Sequence, residues 1–362
     1  MKIGFFGSSL VSSYWNGAAT YYRGLLKEMA ALGHEITFYE PDAYERQQHR
    51  DIADPEWARV VVYPATDEGW QKSVDRAACE SDLLVKASGV GVFDAELECA
   101  IPDAARSGVV TIFWDVDAPA TLDSIDQSTT HHLRRMIPRY DLVLTYGGGD
   151  PVVNAYRRVG ARRCVPIYNA LDPNTHYPVP PQADLVCDLN LLANRLPDRE
   201  ARVEEFFLSV AASLPDKMFL LGGSGWHTKQ IPANVRLAGH VGTKDHSAFF
   251  CSAAAVLNVN RESMARYGFS PPTRIFEAAG AGACIISDAW SGIEQFLEPE
   301  KEILVADNGA EVGEALSNLH PRKRQHLAKA ARARVLAHHT YAQRAQQVND
   351  LLSLGAKCEV AA

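Results

Sequence analysis

The stretch Pro271-Pro272-Thr273-Arg274-Ile275-Phe276-Glu277-Ala278-Ala279-Gly280-Ala281-Gly282-Ala283-Cys284-Ile285-Ile286-Ser287-Asp288 decides the fold. Its two prolines exclude a helix before them, Thr273 suits an N-cap, and residues 274–279 read as a short helix. Gly280-Ala281-Gly282 ends it. The apolar run 283–287, closed by Asp288, has the pattern of a buried parallel strand. Loop, helix and strand in that order make one unit of an α/β sheet. Glu277 falls in the first turns of the helix, close to backbone N–H groups with no partner in the helix. A nucleotide diphosphate could lie there, and a carboxylate could grip a ribose diol. The same residues would serve equally as scaffold in a doubly wound domain, so the rest of the chain has to decide.

Upstream of this unit, residues 185–193, 217–221, 235–239 and 254–260 read as strands, and 200–214 and 247–253 as helices. The first half repeats the alternation. Residues 2–7 form a short apolar strand, 8–17 a polar loop ending in glycine, 18–32 a helix stopped by Gly33, and 34–39 the next strand. Further strands are expected at 82–86, 109–114 and 141–145. Apolar periodicity is missing where Pro173, Pro178, Pro180 and Pro181 cluster. The expected architecture is α/β: two Rossmann-like domains at 1–172 and 185–340, a linker at 173–184, and a last helix within 341–362 that returns to the first domain. The basic run from Arg322 to Arg334 reads as a helix with a solvated face. Contact with anionic lipid is the other reading, and it would be peripheral.

Composition narrows the function classes. At 362 residues, 47% hydrophobic and 22% charged, the chain has material for two cores. Its formal net charge of -8 argues against a general nucleic-acid binder. Seven cysteines without a Cys-x-x-Cys pair point to reduced thiols. The first residues are too short an apolar run for a signal segment, and no stretch approaches a membrane span, so a cytoplasmic location is expected.

Ligands of open α/β sheets bind outside the carboxyl ends of the strands, which directs attention to the loops there. Asp115 and Asp117, at such an end, are the carboxylates best placed for chemistry; capping of the loop before Pro119 is the plainer role. The fingerprint G-x-G-x-x-G is absent after the first strand, which weakens a dinucleotide oxidoreductase. A glycine-hinged loop with Trp15, Asn16 and Gly17 stands there instead. His131-His132 and His338-His339 are adjacent pairs, a spacing expected to point the side chains apart rather than at one ion, so no metal site is expected. His131 is retained as an acceptor-side base.

Four passages in order resemble the GT-B glycosyltransferases of the group 1, family 4-like kind, and within them the CgeB-type (spore maturation protein) branch. The first is Asp141-Leu142-Val143-Leu144-Thr145 with Gly160-Ala161, residues 165–172 and Tyr177-Pro178, similar to an interdomain crossover. The second is Ala193-Asn194-Arg195-Leu196-Pro197-Asp198-Arg199, similar to the Arg-containing loop after the first donor-domain strand. The third is Leu221-Gly222-Gly223-Ser224-Gly225 with Gly239-His240-Val241. The last is Arg274-Ile275-Phe276-Glu277-Ala278 with Gly282, Asp288 and Glu294, followed by Glu302-Ile303-Leu304.

The resemblance implies two domains facing a cleft, with the acceptor on the N-terminal side (Trp15, Asn16, Gly17) and a nucleotide-diphosphate sugar on the C-terminal side. It implies Glu277 as ribose ligand, Arg195 and then Arg199 as diphosphate ligands, and Gly223, Gly225, Arg274 and Phe276 in the donor surface. Asp117, Asp115 and His131 remain the catalytic candidates. The family's pattern has two glutamates eight positions apart, and the earlier position here is Phe269. Arg274 is either a phosphate contact or a partner of Glu277 or Glu262. The activity implied is metal-independent, retaining glycosyl transfer to a hydroxyl of a glycan, lipid-linked or small-molecule acceptor, with no cofactor beyond the donor. A catalytically weak nucleotide-sugar binder and an epimerase-type enzyme stay open.

Overall fold

A computed structural model describes residues 1–14 and 16–359. The chain divides into two units, Met1–Tyr168 together with Tyr341–Ala362, and Asn169–Thr340.

The first unit is built on a sheet of seven strands: β1 (Lys2–Phe6), β2 (Glu35–Asp42), β3 (Ala58–Pro64), β4 (Leu83–Ala87), β5 (Val110–Asp115), β6 (Leu142–Thr145) and β7 (Cys164–Pro166). They pair in parallel in the order β3-β2-β1-β4-β5-β6-β7. The strand order reverses between β1 and β4, so the loops after these two strands flank the crevice where doubly wound sheets take ligands. Aromatic residues fill the core: Phe5 stacks on Phe38 with centroids 5.3 Å apart, and Trp114 Nε1 donates to Tyr21 Oη at 3.0 Å. The helix Tyr341–Glu359 belongs to this unit. The Tyr341 ring lies over Gly24 so closely that a Cβ there would be 2.2 Å from it, and Arg344 Nε donates to the Tyr168 carbonyl at 3.2 Å.

The second unit holds six parallel strands, β8 (Cys187–Leu192), β9 (Phe219–Gly222), β10 (Val235–Gly239), β11 (Ala253–Asn258), β12 (Ile285–Asp288) and β13 (Leu304–Ala306), in the order β10-β9-β8-β11-β12-β13. Its switch point lies between β8 and β11. β11 is apolar on both faces up to Asn258, whereas β8 alternates Cys187, Leu189 and Leu191 with Asp188 and Asn190, and the buried Asn190 donates from Nδ2 to the Phe249 carbonyl at 2.6 Å. Leu189, Leu191, Ala255 and Leu257 pack with Phe207, Phe219 and Ile286 in one core.

Several local expectations need correction. Thr273 is the first residue of the helix Thr273–Gly280 and makes no capping bond; Pro272 holds the N-cap position. β3, a partly exposed edge strand, adds to the expected strands, and its run Val60-Val61-Val62-Tyr63 has the apolar, β-branched character of one. Asp117 does not lead a plain loop but precedes the helix Ala118–Gln127, and its side chain makes no capping bond to that helix. The single helix expected at 200–214 starts at Pro197 and widens to a π-turn over Glu204–Leu208. Residues 173–184 form turns without helix or strand. No helix among the described residues is long and apolar enough to cross a membrane.

Candidate donor site and strand-end carboxylates

In the second unit the helix Thr273–Gly280 delivers Arg274 and Glu277 one turn apart, both buried. Arg274 is held by acceptors at two points: Nε donates to the Leu192 carbonyl and Nη1 to Asn258 Oδ1, each at 2.7 Å. It therefore pairs directly with neither Glu277 nor Glu262. Glu262 instead meets Arg202 at 3.2 Å, and Arg202 also binds Asp288 at 2.8 Å. Burial and the neighbouring Arg199 push the Arg274 guanidinium down to about 9, against the pull of Glu277 and Asp288. Two guanidinium groups thus repel one another beside one carboxylate, an arrangement that an anion would relieve.

Glu277 is 5% exposed, and its carboxylate faces two imidazoles, His176 Nε2 and His246 Nδ1, each at 3.8 Å. Burial raises its pKa, opposed by His246 and Arg274. Burial likewise lowers His176 to about 4 and lowers His246, so both rings are neutral at pH 7. Neither histidine is visible as a ligand in the sequence. They stand 70 residues apart, His176 in the Pro-rich segment and His246 at the start of the helix His246–Cys251, and only the fold joins them.

The loop after β8 carries Arg195, which donates from Nε and Nη2 to both oxygens of Glu200 at 2.8 and 2.7 Å and from Nη1 to Thr228 Oγ1 at 2.9 Å. Arg199 lies half-buried one turn on, with Nη1 directed to the Asn194 carbonyl at 3.4 Å. Gly223 is required beside this loop: its φ is +116°, and a Cβ would sit 2.1 Å from the Ala193 carbonyl oxygen. Gly225 has φ +91°, and a Cβ there would sit 3.0 Å from the Cβ of Arg195. The two glycines bring the backbones after β8 and β9 together, with Arg195 N donating to the Ser224 carbonyl at 2.9 Å.

Phe276 does not belong to a donor surface. It is fully buried, with Phe296 edge-on at 5.9 Å and His339 at 5.6 Å, because consecutive residues on a helix point about 100° apart and Glu277 takes the other face. Phe269, at the position of the family's first glutamate, has a left-handed backbone (φ 48°) and lays its ring over Gly292. It brings no carboxylate to the site.

In the first unit Asp115, at the end of β5, is sealed from water. It accepts hydrogen bonds from Ser88 Oγ at 2.7 Å, Asp117 N at 3.0 Å, Thr121 Oγ1 at 3.1 Å and the Tyr156 hydroxyl. Burial nonetheless pushes its pKa up to about 6. So enclosed, Asp115 anchors the ends of β4 and β5 rather than meeting a substrate. Asp117 is half-buried, two residues on. Asn16 spends its side chain on the loop after β1, donating to the Ser9 and Ser12 carbonyls at 2.9 and 3.0 Å and accepting from Ser8 Oγ at 2.8 Å. Gly17 is exposed, and Trp15 lies outside the described residues.

The His131-His132 pair also differs from expectation. His131 and His132 do not point apart but stack with centroids 4.7 Å apart, and His132 Nε2 meets Glu98 Oε2 at 2.5 Å. Burial and His132 lower the pKa of His131. Along the basic helix Pro321–His338, Lys323 meets Glu300 at 3.4 Å and Arg334 meets Glu302 at 3.1 Å.

Residues 199–350 match the model of a family described as glycosyl transferase-like. No curated protein matches the sequence. Solved structures match nearly the whole chain. Sucrose-phosphate synthase from Thermosynechococcus elongatus superposes with a TM-score of 0.74 at 14% identity, covering 99% of this chain and 100% of that one. HepE from Anabaena, in complex with UDP and glucose, gives 0.67 at 15% identity over 98% and 99%. An alpha-glucosyltransferase in complex with UDP and DNA gives 0.71 at 10% identity over 98% and 99%. The chain thus has the two-domain fold of GT-B glycosyltransferases, and over residues 199–350 its sequence is glycosyl transferase-like.

Proposed function

We propose that the protein transfers a sugar from a nucleotide-diphosphate sugar to an acceptor hydroxyl, without metal and with retention of configuration. The observation that carries this reading is Arg274 and Arg199 set beside the buried carboxylate of Glu277, in the unit that matches the glycosyl transferase-like pattern. Similar folds hold UDP with glucose, and UDP-glucose. Glu277 grips the ribose diol, and Arg199 and Arg274 take the diphosphate. Arg195 adds a third cation once its fork turns from Glu200.

Glycosyl transfer passes through an oxocarbenium-like transition state while negative charge builds on the leaving diphosphate. Cations fixed beforehand in a partly dry site lower that barrier without reorganising, so the chain's own arginines do the work often given to a dication. On the acceptor side, Asp117 is the carboxylate left to contact a hydroxyl. The acceptor is a glycan, a lipid-linked molecule or a small molecule, and the cytoplasm is the proposed compartment.

A panel of nucleoside diphosphates and their sugars, read by thermal shift and then by product formation with simple sugar acceptors, tests the reading. A true donor at 100 times its dissociation constant stabilises the fold by about 2.7 kcal/mol. If no nucleotide shifts the melting curve, the donor site is wrong. Phe269 favours one second reading, a nucleotide-sugar binder with weak turnover, since it leaves the family's first carboxylate position apolar. That protein would show the shift and no product. An epimerase-type enzyme would instead change the donor with no acceptor present.

A further inference from the structure

The mechanism above uses Glu277 but not the two imidazoles in front of it. Nε2 of His176 and Nδ1 of His246 lie 3.3 Å apart, and each is 3.8 Å from a different oxygen of Glu277. Ligand atoms of the three residues all fall within 4.8 Å of one another. A tetrahedral zinc site with bonds of about 2.0–2.1 Å has ligand-to-ligand edges of about 3.3 Å. The imidazole pair already has that spacing; since each 3.8 Å contact is to a different oxygen, a single carboxylate oxygen has to close by about 0.5 Å on one imidazole and by as much as about 1.5 Å on the other.

The hydrogen bonds around His176 decide which of its nitrogens is bare. Thr175 Oγ1 has one proton and lies 3.2 Å from the Asp172 carbonyl, which can only accept. The 2.9 Å contact between Thr175 Oγ1 and His176 Nδ1 is then an Nδ1–H donation, which leaves the lone pair of Nε2 facing His246 and Glu277. Outer-nitrogen donation of this kind is what orients imidazole ligands in metal sites.

The backbone is laced to keep this geometry. His176 N donates to the Asp172 carbonyl at 3.1 Å, Ser247 Oγ reaches the Thr175 carbonyl at 3.4 Å, and Tyr177 N donates to Ser247 Oγ at 3.3 Å. Among the described residues no hydrogen bond reaches the Glu277 carboxylate, although it is 5% exposed. A bare imidazole nitrogen, a second imidazole and a carboxylate thus converge in a buried space. One proton between them satisfies a single contact, whereas a dication satisfies all three.

We propose that His176, His246 and Glu277 bind a zinc-type dication, with a fourth position open on the side of the half-buried His246. Two nitrogens and one oxygen suit Zn2+, Co2+ or Ni2+, whereas Mg2+ and Ca2+ prefer sites made of oxygen. The site goes beyond the glycosyltransferase reading. The metal shares Glu277 with the proposed ribose contact, so it opposes donor binding rather than assisting it.

The test is a Co2+ titration of the chelator-stripped full chain without nucleotide, read by the visible absorption of four-coordinate cobalt. Nucleotide binding in EDTA, measured separately, reports on the donor site. The expected result is one saturable equivalent, displaced by Zn2+ and not by Mg2+. His246→Ala should weaken binding by at least about 10- to 100-fold. Glu277→Gln, which keeps volume and loses the anion, should also weaken it. His326→Ala, on an exposed helix face, should change nothing. Melting curves confirm that each variant is folded. Absence of the cobalt band in the wild-type chain overturns the proposal, and so does a band of equal strength and affinity in folded His246→Ala or Glu277→Gln.

Discussion

Arg195 closes its guanidinium on both oxygens of Glu200, at 2.8 and 2.7 Å, and Lys229 joins the same carboxylate at 2.9 Å. The pair holds Glu200 down to about 2. A phosphate can present two oxygens to a guanidinium fork as a carboxylate does, so a diphosphate competes with Glu200 for Arg195. Arg195→Ala should weaken UDP binding on the order of tenfold, the scale of one charge-assisted hydrogen bond. Glu200→Gln should tighten it several-fold by freeing the fork. Calorimetric titration of both variants checks this. The melting temperature should barely move, because an exposed ion pair adds little to folding. Equal affinity in all three proteins would leave Arg195 as a loop fastener.

Much of the fold was legible because parallel strands buried on both faces write themselves as short apolar runs. β1, β5, β6, β11 and β12 each appear that way, and Gly7 and Gly147 mark the turns after β1 and β6. The helix Glu262–Tyr267 was not legible, since six residues bury too little to leave a period, whereas β3 carries the apolar run Val60-Val61-Val62-Tyr63 that marks a strand. At the site, Arg274 and Glu277 could be found because they share the start of one helix, and Arg199 because it stands at the start of another, Pro197–Val203. His176 and His246 could not, because their meeting depends on a Pro-rich segment folding back over 70 residues. Asp115 shows the converse limit. Its position at a strand end suggested chemistry, and only the surrounding Ser88, Thr121 and Tyr156 reveal an enclosed anchor.

Asp117 is the carboxylate on which acceptor chemistry rests. It stands at the start of the helix Ala118–Gln127, and its side chain makes no capping bond to that helix. Asp117→Asn should lower kcat by about 100-fold or more if it takes the acceptor proton, with UDP-sugar affinity unchanged. Steady-state kinetics beside a nucleotide titration separates the two. Unchanged turnover removes Asp117 from the reaction.

The sealed Asp115 makes a pH prediction. Its native pKa of about 6 lies above the value of 3.8 for a free side chain. Between these values the native state keeps a proton that the unfolded chain has released. Stability therefore falls as pH rises from about 4 to about 6, by about 3 kcal/mol from this group. Glu277 and Asp288, both raised by burial, add slopes of the same sign, so the decisive quantity is a difference between proteins. Asp115→Asn should flatten that part of the curve in denaturant unfolding measured at several pH values. Asp115→Ala should destabilise at all of them, because buried donors lose their acceptor. An Asn variant with the wild-type slope would show that Asp115 titrates normally.

Turnover and donor binding should persist in EDTA, because the charge on the leaving diphosphate is met by arginine in this reading. Under the zinc proposal EDTA also clears Glu277, so affinity for UDP should hold or rise. Loss of activity in EDTA with recovery on adding Mg2+ or Mn2+ would overturn metal independence and call for a site rich in oxygen ligands, of which the His176–His246–Glu277 group offers one carboxylate.

Glu277 carries the donor site, and its burial gives the sharpest contrast between function and scaffold. A carboxylate that accepts from both ribose hydroxyls gains about 1.5–3 kcal/mol per charge-assisted bond. Glu277→Ala should then weaken nucleotide-sugar affinity roughly tenfold to several hundredfold, measured in EDTA so that metal plays no part. Folding should not suffer. Burial already disfavours the Glu277 charge, the helix Thr273–Gly280 accepts alanine at no propensity cost, and among the described residues no hydrogen bond to the carboxylate is lost. A scaffold role predicts the opposite pair of results, a lowered melting temperature and unchanged affinity in the protein that remains folded. Titration of wild type and variant with the best nucleotide of the panel, alongside melting curves, distinguishes them, and unchanged affinity removes Glu277 from the donor site.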